Sequence, residues 1–212
     1  MPMNLNTIMR DVHQNAVNHG WWEDGRNDDQ ILCLIHSEWS EALEEERAGR
    51  PLFWLACENG LEDNEICMPF LCHSHTLEDS LDCPHRGKKP EGFAVELIDG
   101  CIRILDYMGY VTKGQPAFKP SADTIEKLCD SKIISDIPGT EYFDAVDNIF
   151  ALVRVLHGLT AMVCPDTGLT PLVKCLILCF RWIKKNGLDP EEVLLLKHEY
   201  NKTRPYKHGK KF

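Results

Sequence analysis

Apolar residues recur at intervals of three and four along most of the chain, which is the spacing of one face of an α-helix. The pattern predicts helices over about residues 4–19, 31–49, 93–108, 121–131, 140–163, 170–186 and 190–203. No stretch shows the strict alternation of a half-buried strand. The sequence therefore predicts an all-α fold, a helical bundle.

Residues with known capping preferences stand at several predicted helix ends. Asn4 or Asn6 can cap the first helix, and Asp28 or Asp29 can cap the second, because short polar side chains accept hydrogen bonds from the free N–H groups of the first turn. Thr170 and Asp189 are expected to cap two later helices, each followed directly by a proline. Gly109 is the expected end of the helix that begins at residue 93.

Two stretches interrupt the bundle pattern and are expected to be insertions in a single domain of 212 residues. Residues 51–92 lack periodicity, apart from a short helix expected near residues 52–57. Residues 111–187 begin with a Gly/Pro-rich linker and then add helices between the acidic helix and the C-terminal tail. Because forty irregular residues are uncommon in a compact domain, the first insertion is expected to need a staple.

Cysteine and histidine are concentrated in this first insertion. Thiolates and imidazoles at such density suit a structural Zn²⁺ site, which would stabilise an irregular loop. Free thiols and surface histidines are the alternative, because there is no CxxC pair. The residues closest to ligand spacing are Cys67, Cys72, His75 and Cys83.

The charge distribution limits the classes of partner. A net charge of −10 argues against a general nucleic-acid-binding protein. The last sixteen residues differ, since they carry five Lys and one Arg against one Glu, which indicates a local anion site. The chain lacks a secretory signal pattern and an apolar run long enough for a membrane span, so a cytoplasmic protein is expected.

Two predicted helices each carry a pair of carboxylates three residues apart, Glu38 with Glu41 and Glu96 with Asp99. Side chains at this spacing share a helix face. If the two helices pack antiparallel, the four carboxylates converge, and their repulsion must be balanced by positive charge. Oxygen ligands select hard cations such as Mg²⁺, which often bind substrate phosphates as well. Two solvated acidic faces are the alternative.

Four blocks of sequence resemble the MazG-like, all-α nucleoside triphosphate pyrophosphohydrolases. The acidic pairs lie in the runs Glu38-Trp-Ser-Glu41-Ala-Leu-Glu and Glu96-Leu-Ile-Asp99-Gly-Cys-Ile-Arg-Ile-Leu-Asp. The run Gly20-Trp-Trp-Glu23 resembles the start of the family's sequences, and residues 197–211 resemble its C-terminal signature. The gap between the acidic pairs is far longer than in the family.

The resemblance implies Mg²⁺-dependent hydrolysis of a nucleoside triphosphate between the α and β phosphates, with Mn²⁺ as a further suitable metal. Glu38, Glu41, Glu96 and Asp99 would hold the metal and carry the catalysis. A homo-oligomer, dimer or tetramer, is also implied. The residues expected to bind substrate are Lys197, Asn201, Arg204, Tyr206, Lys210 and Lys211, with Trp22 or Trp39 either stacking on the base or packing in the core.

Two other functions remain open at this point. The helical scaffold could belong to a non-catalytic protein that binds a nucleotide or a partner for regulation. The fold could also act on a different phosphorylated substrate, such as phosphoribosyl-ATP or a dUTP-like nucleotide. The base cannot be chosen from the sequence, because the apolar and amide groups that would contact it are not assigned.

Overall fold

The computed structural model describes residues 2–56, 89–130 and 148–209. These ranges contain seven α-helices, a two-stranded antiparallel sheet and one short 3₁₀-helix at Tyr206–Gly209. The all-α expectation is confirmed at this level. In chain order the elements are α1 (Leu5–Asn18), α2 (Asp28–Arg47), β1 (Trp54–Ala56), β2 (Lys89–Glu91), α3 (Phe93–Val111), α4 (Ile125–Asp130), α5 (Ile149–Ala161), α6 (Thr170–Lys185) and α7 (Pro190–Lys202).

The prediction that there are no strands is wrong, because two short strands are present. The prediction of a short helix near residues 52–57 is also wrong, because β1 lies there. β1 pairs with β2, and Trp54, Leu55 and Ala56 lie opposite Glu91, Pro90 and Lys89. The large apolar side chains of Trp54 and Leu55 suit a pleated, half-buried surface. This pairing leads the chain directly into α3, whose first turn is tied to residue 52 by a hydrogen bond from Ala94 N to Leu52 O.

The first two helices begin with asparagine caps. The Asn4 side chain accepts hydrogen bonds from two backbone N–H groups of the first turn, which confirms one of the two expected caps for α1. Asn27, rather than Asp28 or Asp29, caps α2, because its side chain and that of Gln30 form a reciprocal capping box. The two aspartates lie inside the first turn, where they interact favourably with the helix dipole.

Three other predicted boundaries can be compared with the structure. Asp189 caps α7, as expected. Thr170 does not cap α6; the cap position is Leu169, which makes no side-chain hydrogen bond there. Helix α5 begins after its cap Asn148, and the earlier part of the predicted long helix, residues 140–147, lies outside the described residues.

Helix α3 continues past Gly109 to Val111 and is the central element of the fold. Gly109 serves packing instead of termination, since a Cβ there would lie 2.6 Å from the Cβ of His13 on α1. The chain turns after the helix at Lys113 and Gly114, which both have positive φ. Helix α3 contacts α1, α2, α6 and α7, and 13 of its residues are buried.

One buried apolar cluster includes residues from all seven described helices. Burial of such a cluster is the main favourable term in folding. No helix within the described ranges is both long and apolar enough to pass through a lipid bilayer. The division of the chain into one domain with two insertions stays a prediction.

Helices α2 and α3 run antiparallel along each other. Their contacting pairs proceed in opposite directions, with Tyr107 near Asp28, Arg103 at Glu38, and Glu96 close to Glu41. The close approach is possible because Gly100 of α3 lies against the fully buried Trp39 of α2. A side chain at position 100 would overlap the Trp39 ring.

We expect Gly100→Ala to lower the free energy of unfolding by about 1–3 kcal/mol, because the added methyl group overpacks the α2–α3 contact. Gly158→Ala is the matched control, since Gly158 lies in α5 with no heavy atom within 4 Å of an added Cβ. That change should stabilise the protein by about 0.4–1 kcal/mol through the unfolded chain. Urea unfolding measures both values, and equal effects of the two substitutions would contradict the packing described here.

Candidate metal centre

Three of the four predicted carboxylates meet where α2 passes the first turn of α3. Glu38, Glu41 and Glu96 each offer a carboxylate oxygen, and these oxygens lie within 4.8 Å of one another. Glu38 and Glu41 are one helical turn apart on α2, so both face the same neighbour. The helix spacing thus produces a cluster of oxygen donors from two elements.

Two of these carboxylates are buried, with side chains at Glu38 and Glu96 only 3% and 6% exposed. Burial raises the pKa of Glu96 to about 9, helped by repulsion from Asp99 and opposed by Lys197. Burial also raises the pKa of Glu38; Arg103 opposes this change, whereas Asp99 and Glu41 add to it. The negative charges of the carboxylates therefore repel one another, and keeping all of them ionised costs free energy.

Lys197 of α7 reaches the fourth carboxylate. Its ammonium nitrogen lies 2.9 Å from Asp99 Oδ2 and donates a hydrogen bond of 3.1 Å to the carbonyl oxygen of Pro90 in β2. The Lys197 residue is only 1% exposed. Burial alone would lower its pKa, but Asp99 and Glu96 together raise it, so the lysine stays charged. Lys197 is thus a buried counter-ion of the cluster.

Arg103 is the second counter-ion. It lies on α3 and pairs through its Nε with Glu38 Oε1. Although burial opposes its charge, attraction to Glu38, and then to Asp99 and Glu41, raises the pKa of Arg103. About a third of the Arg103 side chain, 35%, is accessible to solvent.

The charges do not balance within this cluster. Four carboxylates face two cations, so full ionisation leaves two negative charges that Arg103 and Lys197 do not neutralise. One divalent cation would supply this missing charge. The donors are all carboxylate oxygens, which suit Mg²⁺ and Mn²⁺ rather than soft metals. On the chemistry of its donors the site fits the metal that the sequence predicted.

Two of the C-terminal residues expected to bind substrate contact the segment between α1 and α2. Tyr206 donates a hydrogen bond from its hydroxyl to Glu23, and the Arg204 carbonyl oxygen lies 2.9 Å from His19 Nε2. Asn201 is half-buried one turn after Lys197, and its Oδ1 atom is buried without a hydrogen-bond partner. The predicted substrate contacts of Lys210 and Lys211 lie outside the described residues, as do the zinc candidates Cys67, Cys72, His75 and Cys83.

The two tryptophans proposed for base stacking have protein partners. Trp39 is fully buried and donates to Thr160 Oγ1 at 3.0 Å, so it packs in the core. Trp22 stacks on Tyr110, with ring centroids 4.1 Å apart, and donates to Asp106 Oδ1 at 3.0 Å. For Trp39 the core alternative is therefore the one observed.

Sequence reasoning did not single out Arg103 or Asp106, yet both lie on the same stripe of α3 as two of the carboxylates. Glu96, Asp99, Arg103 and Asp106 are spaced by three, four and three residues, which places them on one stripe of α3. Reading that stripe beyond the two carboxylates would have found them. The structure also adds Arg26, from the loop before α2, whose charge acts on Asp106.

The raised pKa of Glu96 predicts a pH dependence for the metal-free protein. Between the ordinary value of 4.5 and about 9, the folded protein retains a proton that the unfolded chain has lost. The unfolding free energy contributed by this residue therefore falls as pH rises through that window. We expect the Glu96→Gln variant to lack this loss of stability. At about pH 8, with a chelator present, its free energy of unfolding should exceed that of the wild type by at least about 1 kcal/mol.

The control is Glu44→Gln, because the Glu44 side chain is 63% exposed on α2 and, among the described residues, pairs only with Arg47. Urea unfolding at about pH 5 and about pH 8 measures the change. The gain for Glu96→Gln should be larger at the higher pH. A gain that is the same at both pH values would contradict the assignment of a raised pKa.

Comparisons with known proteins give no relative on which to base an assignment. A scan against models of protein families, a search of curated proteins and a search of solved structures each found no match. The resemblance to the MazG-like enzymes therefore stays a prediction, and functional inference depends on the chemistry of the site.

Proposed function

We propose that the protein is a metal-dependent nucleotide pyrophosphohydrolase. In the proposed reaction, water attacks a nucleoside triphosphate and the bond between the α and β phosphates breaks, giving a nucleoside monophosphate and pyrophosphate. The observation that carries the proposal is the meeting of Glu38, Glu41 and Glu96, with their oxygens within 4.8 Å, from two different helices. Asp99, one turn along α3 from Glu96, completes the group.

The cluster suits this class of chemistry because its ligands are hard and its charge is uncompensated. Mg²⁺ or Mn²⁺ held by these carboxylates would neutralise phosphate oxygens and lower the pKa of a bound water. The protein side chains would position the cation, while Arg103 and Lys197 partly oppose the rise in pKa that burial causes in Glu38 and Glu96. Lys197, which also donates to the Pro90 carbonyl, would hold Asp99 in place at the site.

Burial of the site has a further role in this proposal. Because Glu38 and Glu96 are shielded from water, their charges interact strongly with any cation or phosphate that enters. The exposed Glu41 leaves one side of the cluster open to solvent, where a substrate can approach. This combination of buried and open donors favours a catalytic centre over a closed structural metal site.

One observation favours a non-catalytic alternative. Arg103 and Lys197 already pair with Glu38 and Asp99. If those pairs were permanent, they would take the place of a metal ion, and the scaffold could bind a nucleotide or a partner without turnover. Such a protein would bind its ligand equally well when Glu41, which like Glu96 has no salt-bridge partner among the described residues, is neutralised.

We expect the wild type to release pyrophosphate from at least one nucleoside triphosphate in a panel of standard, deoxy and modified nucleotides, with Mg²⁺ or Mn²⁺ present. Glu38→Gln should lower the turnover by at least about 100-fold, because a neutral amide is a poor ligand for a hard cation. Asp99→Asn is expected to act in the same direction. A coupled pyrophosphate assay measures both variants.

Glu44→Gln is the matched control for Glu38→Gln, since both glutamates lie on α2 but Glu44 is exposed, and Arg47 is its only ion-pair partner in the described part of the chain. Its turnover should equal that of the wild type. Absence of pyrophosphate release across the whole panel, with both metals, would reject the hydrolase proposal. Turnover that survives in Glu38→Gln would reject the assigned centre.

A further inference from the structure

Arg26 has an unmet hydrogen-bonding capacity beside the carboxylate centre. It lies in the loop between α1 and α2, half-buried, with its guanidinium carbon 4.6 Å from the centroid of the Trp21 ring. Its Nη2 atom is buried and has no hydrogen-bond partner among the residues that the structure describes. A buried charged donor without a partner is costly, so its presence calls for an explanation in terms of function.

The loop that carries Arg26 is fastened to α3 at Asp106. The indole N–H of Trp22 donates to Asp106 Oδ1 at 3.0 Å, and His13 Nδ1 lies 2.7 Å from the same oxygen. Asp106 is one helical turn from Arg103 on the same face of α3. The loop therefore brings Arg26 close enough to Arg103, which pairs with Glu38, for their charges to interact.

The positive charges of Arg26 and Arg103 act on each other. Burial lowers the pKa of Arg26, repulsion from Arg103 lowers it further, and Asp106 and Asp24 oppose this shift. Neither aspartate accepts a hydrogen bond from the Nη2 atom, which stays unpaired. An anion with several oxygens can bind between two neighbouring guanidinium groups, because each guanidinium can donate hydrogen bonds to two of those oxygens.

We propose that Arg26 and Arg103 form a phosphate-binding subsite next to the carboxylate centre. This inference rests on the proposed function, and it names the residues that receive a phosphate group of the substrate. Arg103 links the two parts of the site, since its Nε pairs with Glu38 while its side chain remains partly exposed. A phosphate bound here would lie beside the metal ligands.

This assignment gives the C-terminal tail a different role from the one expected from sequence. Lys207 pairs with Asp24, and Tyr206 bonds to Glu23, both in the loop that carries Arg26. The backbone N–H of Lys207 also donates to His19 O at 3.0 Å. These contacts hold the loop, so Tyr206 and Lys207 act as positioning residues for Arg26.

The test is calorimetric titration of inorganic pyrophosphate, in a constant concentration of Mg²⁺, into the full-length wild type and its variants. We expect Arg26→Gln to weaken binding about 10- to 100-fold, because a charge-assisted fork is lost. Arg26→Lys should weaken it by a smaller factor, since the charge remains but the fork does not. An unchanged affinity in Arg26→Gln would overturn the subsite.

Arg50→Gln is the matched control. Arg50 also lies over a tryptophan ring, at 5.3 Å from the centroid of Trp54, but its Nη1 is 2.7 Å from Glu45 Oε1. Its removal should leave pyrophosphate binding unchanged. Thermal melting shows whether each variant is folded. If Arg26→Gln does not fold, the pyrophosphate affinity of Arg26→Lys is compared with that of the wild type instead. Equal losses in the Arg26 and Arg50 variants would overturn the subsite.

Failure of this proposal can be told apart from failure of the proposed function. Pyrophosphate binding requires no turnover, so a selective loss in Arg26→Gln supports the subsite even if no nucleotide in the panel is hydrolysed. Conversely, nucleotide hydrolysis with the same KM in Arg26→Gln and in the wild type supports the hydrolase and overturns the subsite. Absence of pyrophosphate binding to the wild type, together with that unchanged KM, also overturns it.

Discussion

Mutual repulsion of carboxylates in a shielded site is the constraint on which the described structure depends. Glu38 and Glu96 are almost fully buried, and Glu41 and Asp99 add their charges to the same region. Such a group destabilises a fold unless cations compensate it. Arg103 and Lys197 provide part of that compensation, and the proposed metal ion would supply the rest.

The compensation also organises the elements around α3. Lys197 lies on the last helix, yet it reaches Asp99 in α3 and the Pro90 carbonyl in β2, so one buried ammonium group joins three elements. On the opposite side, the loop after α1 reaches α3 through Trp22 and Asp106. Segments that are distant in sequence, the loop after α1 and helix α7, thus contact the same helix that carries two of the proposed metal ligands, Glu96 and Asp99.

Local rules were enough to predict most of the helices and the convergence of the acidic pairs. Periodicity located α1, α2, α3, α6 and α7, because each buries one broad face. Gly109 was misread because its signal has two causes: a glycine can end a helix, or it can admit a close neighbour, here His13. The β1–β2 pair was missed because its three-residue strands are too short to alternate visibly.

The roles of the cations could not be obtained from local rules. The sequence places Lys197 among the expected substrate-binding residues, but its spacing to Asn201 and Arg204 gives no information about Asp99, which is distant in sequence. Its burial turns an expected phosphate ligand into an internal counter-ion. Arg103 was visible on the stripe of Glu96 and Asp99, although its pairing with Glu38 needs the α2–α3 contact. Tertiary contacts decided these roles.

We propose that the buried carboxylates hold a divalent cation. Calorimetric titration of Mg²⁺ in buffers of different ionisation enthalpy measures both this binding and the number of protons that it releases. Binding to the carboxylates should be saturable. It should also release about one proton near neutral pH, because Glu96 is expected to be protonated before the metal binds. Binding without proton release would contradict the assigned electrostatics. Absence of saturable binding would contradict the metal centre itself.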